Sequence, residues 1–272
     1  MLKKHSNAKH SQDGFTLIEL AVVLVIVGIL AGSFITTLGS RIDVTRRAET
    51  IDEMDVIKQA LYGYAMSNNF VHLPCPDCRN AACIKDVINN FANDGIEDRF
   101  GLVCDVDVAN AIAGELPIGN LPWQTLGLGA SDSWANRYSY WVSNSVTVNT
   151  RSFMLSQPPP PVPPWNTVWN TAQINTRVGA VLNALSTNAA VVIMSHGKNG
   201  YGANNIQNVA NSAVPVANLD EAENMDDDLT FISRAQTDAG VAAAVGEFDD
   251  ILVWISEYEL KAKMVEAGRL PP

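Results

Sequence analysis

Basic residues are in deficit. The 272-residue chain holds 18 Lys+Arg against 29 Asp+Glu, a formal net charge of −11. Phosphate neutralisation needs clustered cations, so nucleic acid is not an expected partner. Histidine is scarce too. Of four, His5 and His10 lie near the N-terminus and only His72 and His196 remain, too few for a histidine-built metal or catalytic cluster. Four cysteines are too few to staple a chain of this length, and 47% hydrophobic residues supply a core without them. That apolar fraction, with only 17% charged residues, excludes disorder throughout. There is no internal repeat. At about 100–200 residues per domain, one large domain or two small ones are expected.

Catalytic signatures are missing. Ser195-His196-Gly197-Lys198 has the look of a catalytic loop, but adjacent side chains in a strand point to opposite faces and cannot form a nucleophile–base pair. Ile193 stands where G-x-S-x-G needs its first glycine. The G-K-[ST] of a P-loop is absent. A glycine-rich turn after a buried strand is the expected role.

What the chain does have is a long apolar run. Phe15 to Leu38 is 24 residues with one charge, Glu19. A bilayer needs about 20 apolar residues, so the run is long enough to cross one. It is not an ordinary secretory signal, whose small-residue cleavage site follows its apolar stretch. Here the conspicuous junction, Gly14-Phe15, comes before it. Cleavage there would keep the apolar helix and place a positive α-amino group four residues from Glu19. A carboxylate in hydrocarbon costs roughly 2.5–3.5 kcal/mol, so an intramembrane acid calls for a partner.

Gly14-Phe15-Thr16-Leu17-Ile18-Glu19-Leu20, after a short basic leader and before an unbroken apolar run, resembles the signal of type IV prepilins and type II secretion pseudopilins. The resemblance implies that prepilin peptidase cuts after Gly14 and N-methylates Phe15. It implies that Glu19 pairs with the N-terminus of a neighbouring pilin or pseudopilin subunit during assembly. The leader would be cytoplasmic, the span single-pass in inner-membrane lipid, and the rest periplasmic, reaching the cell surface if assembled into a pilus. An inner-membrane assembly platform would be a further partner. Loop charges leave the orientation open, because Arg41, Arg46 and Arg47 balance the leader lysines. Tip subunits of such filaments usually lack the acid, so Glu19 implies an internal place.

The expected fold class is α+β and pilin-like: a long N-terminal α-helix packed on a C-terminal antiparallel β-sheet head. Residues 1–14 would be the leader, 15–38 the membrane and assembly helix, 39–68 its amphipathic continuation and 69–272 the head. The continuation rests on Val44, Ala48, Ile51, Met54 or Ile57, Leu61 and Tyr64, spaced three and four apart. In the head, 138–143, 189–195 and 248–255 read as strands. Residues 174–185 read as a helix with Val178, Val181, Leu182 and Leu185 on one face, and 257–267 as a terminal helix closed by Gly268. Pro158 to Pro164 reads as an extended loop.

A second stretch extends the resemblance. Gly119 to Gly127, then Asp132, Trp134, Tyr138 and Tyr140, is similar to the pseudopilin pattern of a proline-bearing loop followed by D-P-W-G-x-P-Y-x-Y. Ser133, Ala135 and Arg137 replace its Pro, Gly and Pro. With a head longer than a major pseudopilin's, this implies a minor or atypical member.

Cys75, Cys78, Cys83 and Cys104 fall within 30 residues. Three readings are open: two disulfides, with Cys78–Cys83 and Cys75–Cys104 the preferred pairing in an oxidising periplasm; a four-cysteine zinc site, though the paired C-x2-C knuckles are missing; and a redox C-x-x-C without the βαβ pattern such motifs need. Arg79 occupies the position that haem attachment reserves for His.

No cofactor is required by any of this. Calcium is the cation that clustered acids would hold, through carboxylate oxygens. The clusters are Asp94, Glu97 and Asp98; Asp220, Asp226, Asp227 and Asp228; and Asp249 with Asp250. The resemblance favours the second, while the bland reading is a solvated acidic face. The expected function is assembly into a type II secretion pseudopilus or type IV pilus, not enzymatic turnover. The alternatives are a surface-exposed minor pilin for adhesion or DNA uptake, and a membrane-tethered periplasmic enzyme or metal-binding domain.

Overall fold

The computed structural model describes residues 16–69, 71–79, 91–100, 103–104, 118–147, 171–226, 228–238 and 245–270, without the side chains of 31–40, 100 and 103. Gly14, Phe15, Cys83, Asp227 and the 158–164 proline stretch lie outside the described residues. The chain divides into two compact units, Met1–Thr45 and Arg46–Pro272.

Helix α1, Leu17–Ser67, belongs to both units and is continuous for 51 residues. It contains no proline. At its end Ser67 Oγ and Asn68 Nδ2 donate to the Tyr64 carbonyl, at 3.0 and 2.7 Å, which occupies an acceptor the helix leaves open. In the first unit, the apolar side chains from Leu17 to Leu30 are about half exposed or more. Among the described residues no helix is long and apolar enough to cross a membrane; the expected span, 15–38, includes residue 15 and the side chains of 31–38, which are not described.

In the second unit the helix buries Met54, Ile57, Leu61, Tyr62 and Ala65. This is a three- and four-residue stripe that keeps the expected Met54, Ile57 and Leu61 and adds Tyr62 and Ala65, while Tyr64 is half-buried and Ala48 exposed. Val44 and Ile51 are 70% and 40% exposed.

Strands β1 (Arg99–Phe100) and β2 (Val103–Cys104) form a small antiparallel pair. The main sheet holds β3 (Ile118–Asn120), β4 (Ser139–Val142), β5 (Ala172–Val178), β6 (Val181–Ser195), β7 (Thr230–Ile232) and β8 (Ile251–Ser256). The order is β3-β4-β6-β5-β7, with β8 also on β6, and only β5–β7 is parallel. Short helices α2 (Trp123–Leu126) and α3 (Leu219–Glu223) lie in the loops, and α4 (Glu257–Glu266) closes the chain. The architecture is α+β: an N-terminal helix, then an antiparallel-rich sheet.

Period-two alternation splits the sheet between two cores. Tyr140, Val142, Val191, Ile193, Ile251 and Ile255 join the helix stripe and Leu260 and Met264 of α4. Their neighbours Trp141, Val192, Met194 and Leu252 face the other way, onto Ala172, Ile174, Ala189 and Phe231. Three aromatic hydroxyls tie α1 to the head: Tyr138 donates to Glu53, Tyr62 to Glu259 and Tyr64 to Glu97, each at 2.7 Å.

The expected helix over 174–185 is a β-hairpin. Gly179, at φ +64, and Ala180 form its two-residue turn, and Val178, Val181, Leu182 and Leu185 are exposed instead of lining a core. Three- and four-residue spacing across a turn imitated a helix face. The strand expected from Phe248 starts at Ile251; Phe248 makes an isolated bridge to Thr237. Helix α4 is capped by Ser256, whose Oγ accepts from Glu259 N–H at 3.1 Å, and Gly268 follows at φ +67.

Candidate functional site: the helix start and the acidic clusters of the head

Glu19 sits in the first turn of α1. Thr16 N–H and Oγ1–H both donate to its Oε2, each at 2.9 Å, and Glu19 N–H returns a bond to Thr16 Oγ1 at 3.3 Å. This reciprocal pair is a capping box. It satisfies helix-start donors and gives the one charge of the run two hydrogen bonds from Thr16.

In the head, Cys75 and Cys104 form a disulfide with Cα atoms 5.2 Å apart. No described cysteine is free, and Cys78 is itself disulfide-bonded. Bridged sulfurs are not thiolate ligands, so a four-cysteine zinc site is excluded.

Asp132, from the stretch similar to the pseudopilin pattern, is buried. Its Oδ1 accepts from the amides of Trp134 and Asn136 at 2.9 Å each, and its Oδ2 from Ser195 Oγ at 2.6 Å. Burial pushes its carboxyl pKa up, against these donors. His196 points elsewhere: Nε2 meets Ser139 Oγ at 2.5 Å, and Arg79 Nη2 donates to the same oxygen. Complete burial, with the Arg79 charge nearby, holds the His196 pKa down at about 3. Ser195 and His196 therefore have separate partners, and the segment after them is a turn. Gly197, at φ +57, lies so close to Asp249 that a Cβ would collide with it.

The acidic residues do not gather as expected. Asp220 is no partner of Asp226 and Asp228. It is fully buried and ion-paired at 2.6 Å to both Arg177 and Arg234, which occupy its two oxygens. Glu223 takes its place beside Asp226 and Asp228, on the surface. Burial and then these two charges raise the Glu223 pKa.

A buried trio forms instead from Glu221, Asp249 and Asp250, each with a carboxylate oxygen within 4.8 Å of the others. Asn199 Nδ2 and Asn218 Nδ2 donate to Glu221, and Asn224 Nδ2 donates to Asp250. Asp249 Oδ2 accepts from Asn199 N–H at 2.9 Å, while its Oδ1 is buried without a partner. Burial, with Glu221 and Glu247 adding to it, pushes the Asp249 pKa up to about 7, and burial puts that of Asp250 well above the carboxylate range. Arg47 of α1 donates to the Asp249 carbonyl at 3.3 Å and is the cation beside both aspartates. Glu221 and Asp249 are 28 residues apart in sequence, so only the fold joins them.

Asp77 is a further buried acid. It accepts from Asn93 and Gly95 amides at 2.9 Å, and burial raises its pKa to about 8. Asp98 accepts from Cys78 N–H at 2.7 Å. Glu97 accepts from Cys75 N–H at 2.9 Å, from Arg99 Nε at 2.8 Å and from Tyr64 Oη at 2.7 Å. The first acidic stretch of the sequence thus braces the cysteine loop.

No curated protein and no solved structure matches the chain. Residues 9–35 match the family model described as the prokaryotic N-terminal methylation motif. The N-terminus of the chain thus carries the signature of type IV pilins and pseudopilins, which implies processing by prepilin peptidase and assembly with other pilin subunits.

Proposed function

We propose that this chain is a minor pilin-like subunit of a type II secretion pseudopilus or type IV pilus, held in the inner membrane and drawn into the filament through α1. The observation that carries the reading is the Gly14-Phe15 junction with Glu19 at the head of one continuous helix, Leu17–Ser67. Cleavage after Gly14 frees the α-amino group of Phe15, and Glu19 neutralises the N-terminus of a neighbouring subunit in a medium where a lone charge is costly. Phe15 and Glu19 do the assembly chemistry, and the head, facing the periplasm, chooses partners. The assembly platform and membrane lipid are the other partners. The helix stripe packed against an antiparallel sheet supports a pilin-like head. No catalytic role is assigned to it. The acidic balance weighs against a DNA-uptake pilin.

Calcium belongs to the same reading. Arg47 faces the three carboxylates and Arg234, near Asp250, is already ion-paired to Asp220, so acid outnumbers base at the trio, and Asp249 Oδ1 lacks a donor. Oxygen ligands of this kind suit a hard divalent cation. Bound calcium would fix the α3 loop to the start of β8.

The test is the intact mass of the protein from cells with and without prepilin peptidase. Loss of residues 1–14 plus one methyl group, only where the peptidase is present, is expected. An uncut chain in both strains leaves a plain membrane anchor and sinks the proposal.

A further inference from the structure

On the sheet face turned away from α1, a small depression opens over β4 and β6. Trp141 of β4, Val192 and Met194 of β6 and Phe231 of β7 supply its apolar walls, and Ser139 and Arg79 its polar side. It holds about 200 Å³, part of it open to solvent. That is below the roughly 300–1,000 Å³ of a site for a drug-sized molecule, so only a very small ligand fits. Arg79 Nη2 donates to Ser139 Oγ at 2.8 Å, which places the guanidinium beside that hydroxyl. Trp141 is 1% exposed, and its indole N–H is buried without a hydrogen-bond partner. An unpaired buried donor is costly, and an acceptor in the depression would remove that cost. No lining residue is acidic, in a chain with 29 Asp and Glu. Asp250 lies one side chain further off, bonded to Asn224.

We propose that this depression binds one small monovalent anion, with chloride as the test case. Its polar groups are a guanidinium, a hydroxyl and an indole N–H, each able to donate a hydrogen bond. A guanidinium carries five N–H groups, so Arg79 can hold Ser139 and an anion together. In a partly enclosed site of low dielectric, its positive charge attracts an anion far more strongly than it would in water. The charge is felt as far as His196, whose Nε2 meets Ser139 Oγ at 2.5 Å and where it joins burial in keeping the imidazole neutral. A cation would meet the repulsion of Arg79. The apolar walls of Val192, Met194 and Phe231 disfavour strongly hydrated anions, because these lose most on leaving water. Bromide should therefore compete with chloride, and sulfate should not. Arg79 follows Cys78 directly, so the bound ion would pin the cysteine loop onto β4. The site is separate from the acidic trio and does not depend on the filament reading.

The test uses the full-length chain in detergent, with chloride exchanged for gluconate at constant ionic strength. Chloride should raise the thermal midpoint of the wild-type chain. It should also show a broadened chlorine NMR line that bromide narrows and sulfate does not. Arg79→Gln should weaken chloride binding roughly tenfold or more, because a charge-assisted bond is lost. Trp141→Phe keeps a ring beside Phe231 and removes the N–H, and should weaken binding severalfold. Arg46→Gln, at an exposed arginine of α1, should bind as the wild type does. Equal wild-type midpoints in chloride and gluconate, with no bromide-sensitive broadening, overturn the site and leave water as the occupant. Chloride binding unchanged in both Arg79→Gln and Trp141→Phe overturns it as well, and so does an equal loss in Arg46→Gln. The wild-type line width is read without any variant, so a variant that fails to fold does not shield the proposal.

Discussion

Ser195 Oγ donates to Asp132 Oδ2 at 2.6 Å in the interior of the head. The bond joins the end of β6 to the loop before β4. The same aspartate holds the Trp134 and Asn136 amides, so one carboxylate satisfies three donors. Asp132→Ala leaves them unsatisfied, and an unmade buried bond costs about 1–3 kcal/mol. A loss of about 3 kcal/mol of head stability is expected, read as a lower denaturation midpoint. Ser195→Ala removes one donor and should cost about 1 kcal/mol. Equal midpoints for Asp132→Ala and wild type would contradict this role.

Ala135 lies between Trp134 and Asn136 of that network and adopts φ +68. It stands where the similar pseudopilin pattern has glycine. A non-glycine residue there costs of order 1–3 kcal/mol of backbone strain, while glycine loses about 0.5–1 kcal/mol more chain entropy on folding. Ala135→Gly should therefore stabilise the head by about 1 kcal/mol in thermal or chemical unfolding.

Asp220 shares its two oxygens between Arg177 and Arg234. Removing one partner of a buried ion pair costs about 3–5 kcal/mol, because the opposite charge stays behind. Asp220→Asn should destabilise by that order, whether or not calcium is present. A calcium-dependent loss would instead make Asp220 a ligand.

Asp249 makes the head pH-sensitive in the absence of a cation. Its folded pKa of about 7 lies above its ordinary 3.8. Between these values the folded chain keeps a proton that the unfolded chain gives up, so stability falls as pH rises from about 4 to about 7 and stays low above it. Asp77 acts in the same direction up to about pH 8. His196, held near 3, opposes them by costing stability as pH falls below about 6.5. With chelator present, Asp249→Asn should flatten the decline from pH 4 to 7 and gain roughly 1–3 kcal/mol at pH 8. Calcium should raise the wild-type melting temperature at pH 8 and leave the variant's nearly unchanged. A wild-type profile as flat as the variant's would remove Asp249 from this role.

Elements written in local signals were legible before folding. The 51-residue helix follows from an unbroken apolar run, then a proline-free three- and four-residue pattern. Helix α4 follows from its Gly268 stop, while its Ser256 cap was seen only in the structure. The buried core of β6 follows from its β-branched run. The hairpin at 172–195 was not legible, because helix-like spacing bridged a Gly179 turn and the strands' pairing partners lie elsewhere in the chain. The acidic site divides in the same way. The run Asp226-Asp227-Asp228 is visible in sequence, but which acids are buried, and with whom, is not.

By itself, then, the sequence determined the N-terminal signature, the helix that follows it and the acidic balance of the head, since each is a matter of residue order or count. Only the tertiary structure decided that Asp220 goes to two arginines while Glu221 meets Asp249 and Asp250. The reason is physical: a carboxylate's state depends on its burial and on the charges within a few ångströms, and those neighbours are brought to it by sheet pairing, not by position along the chain.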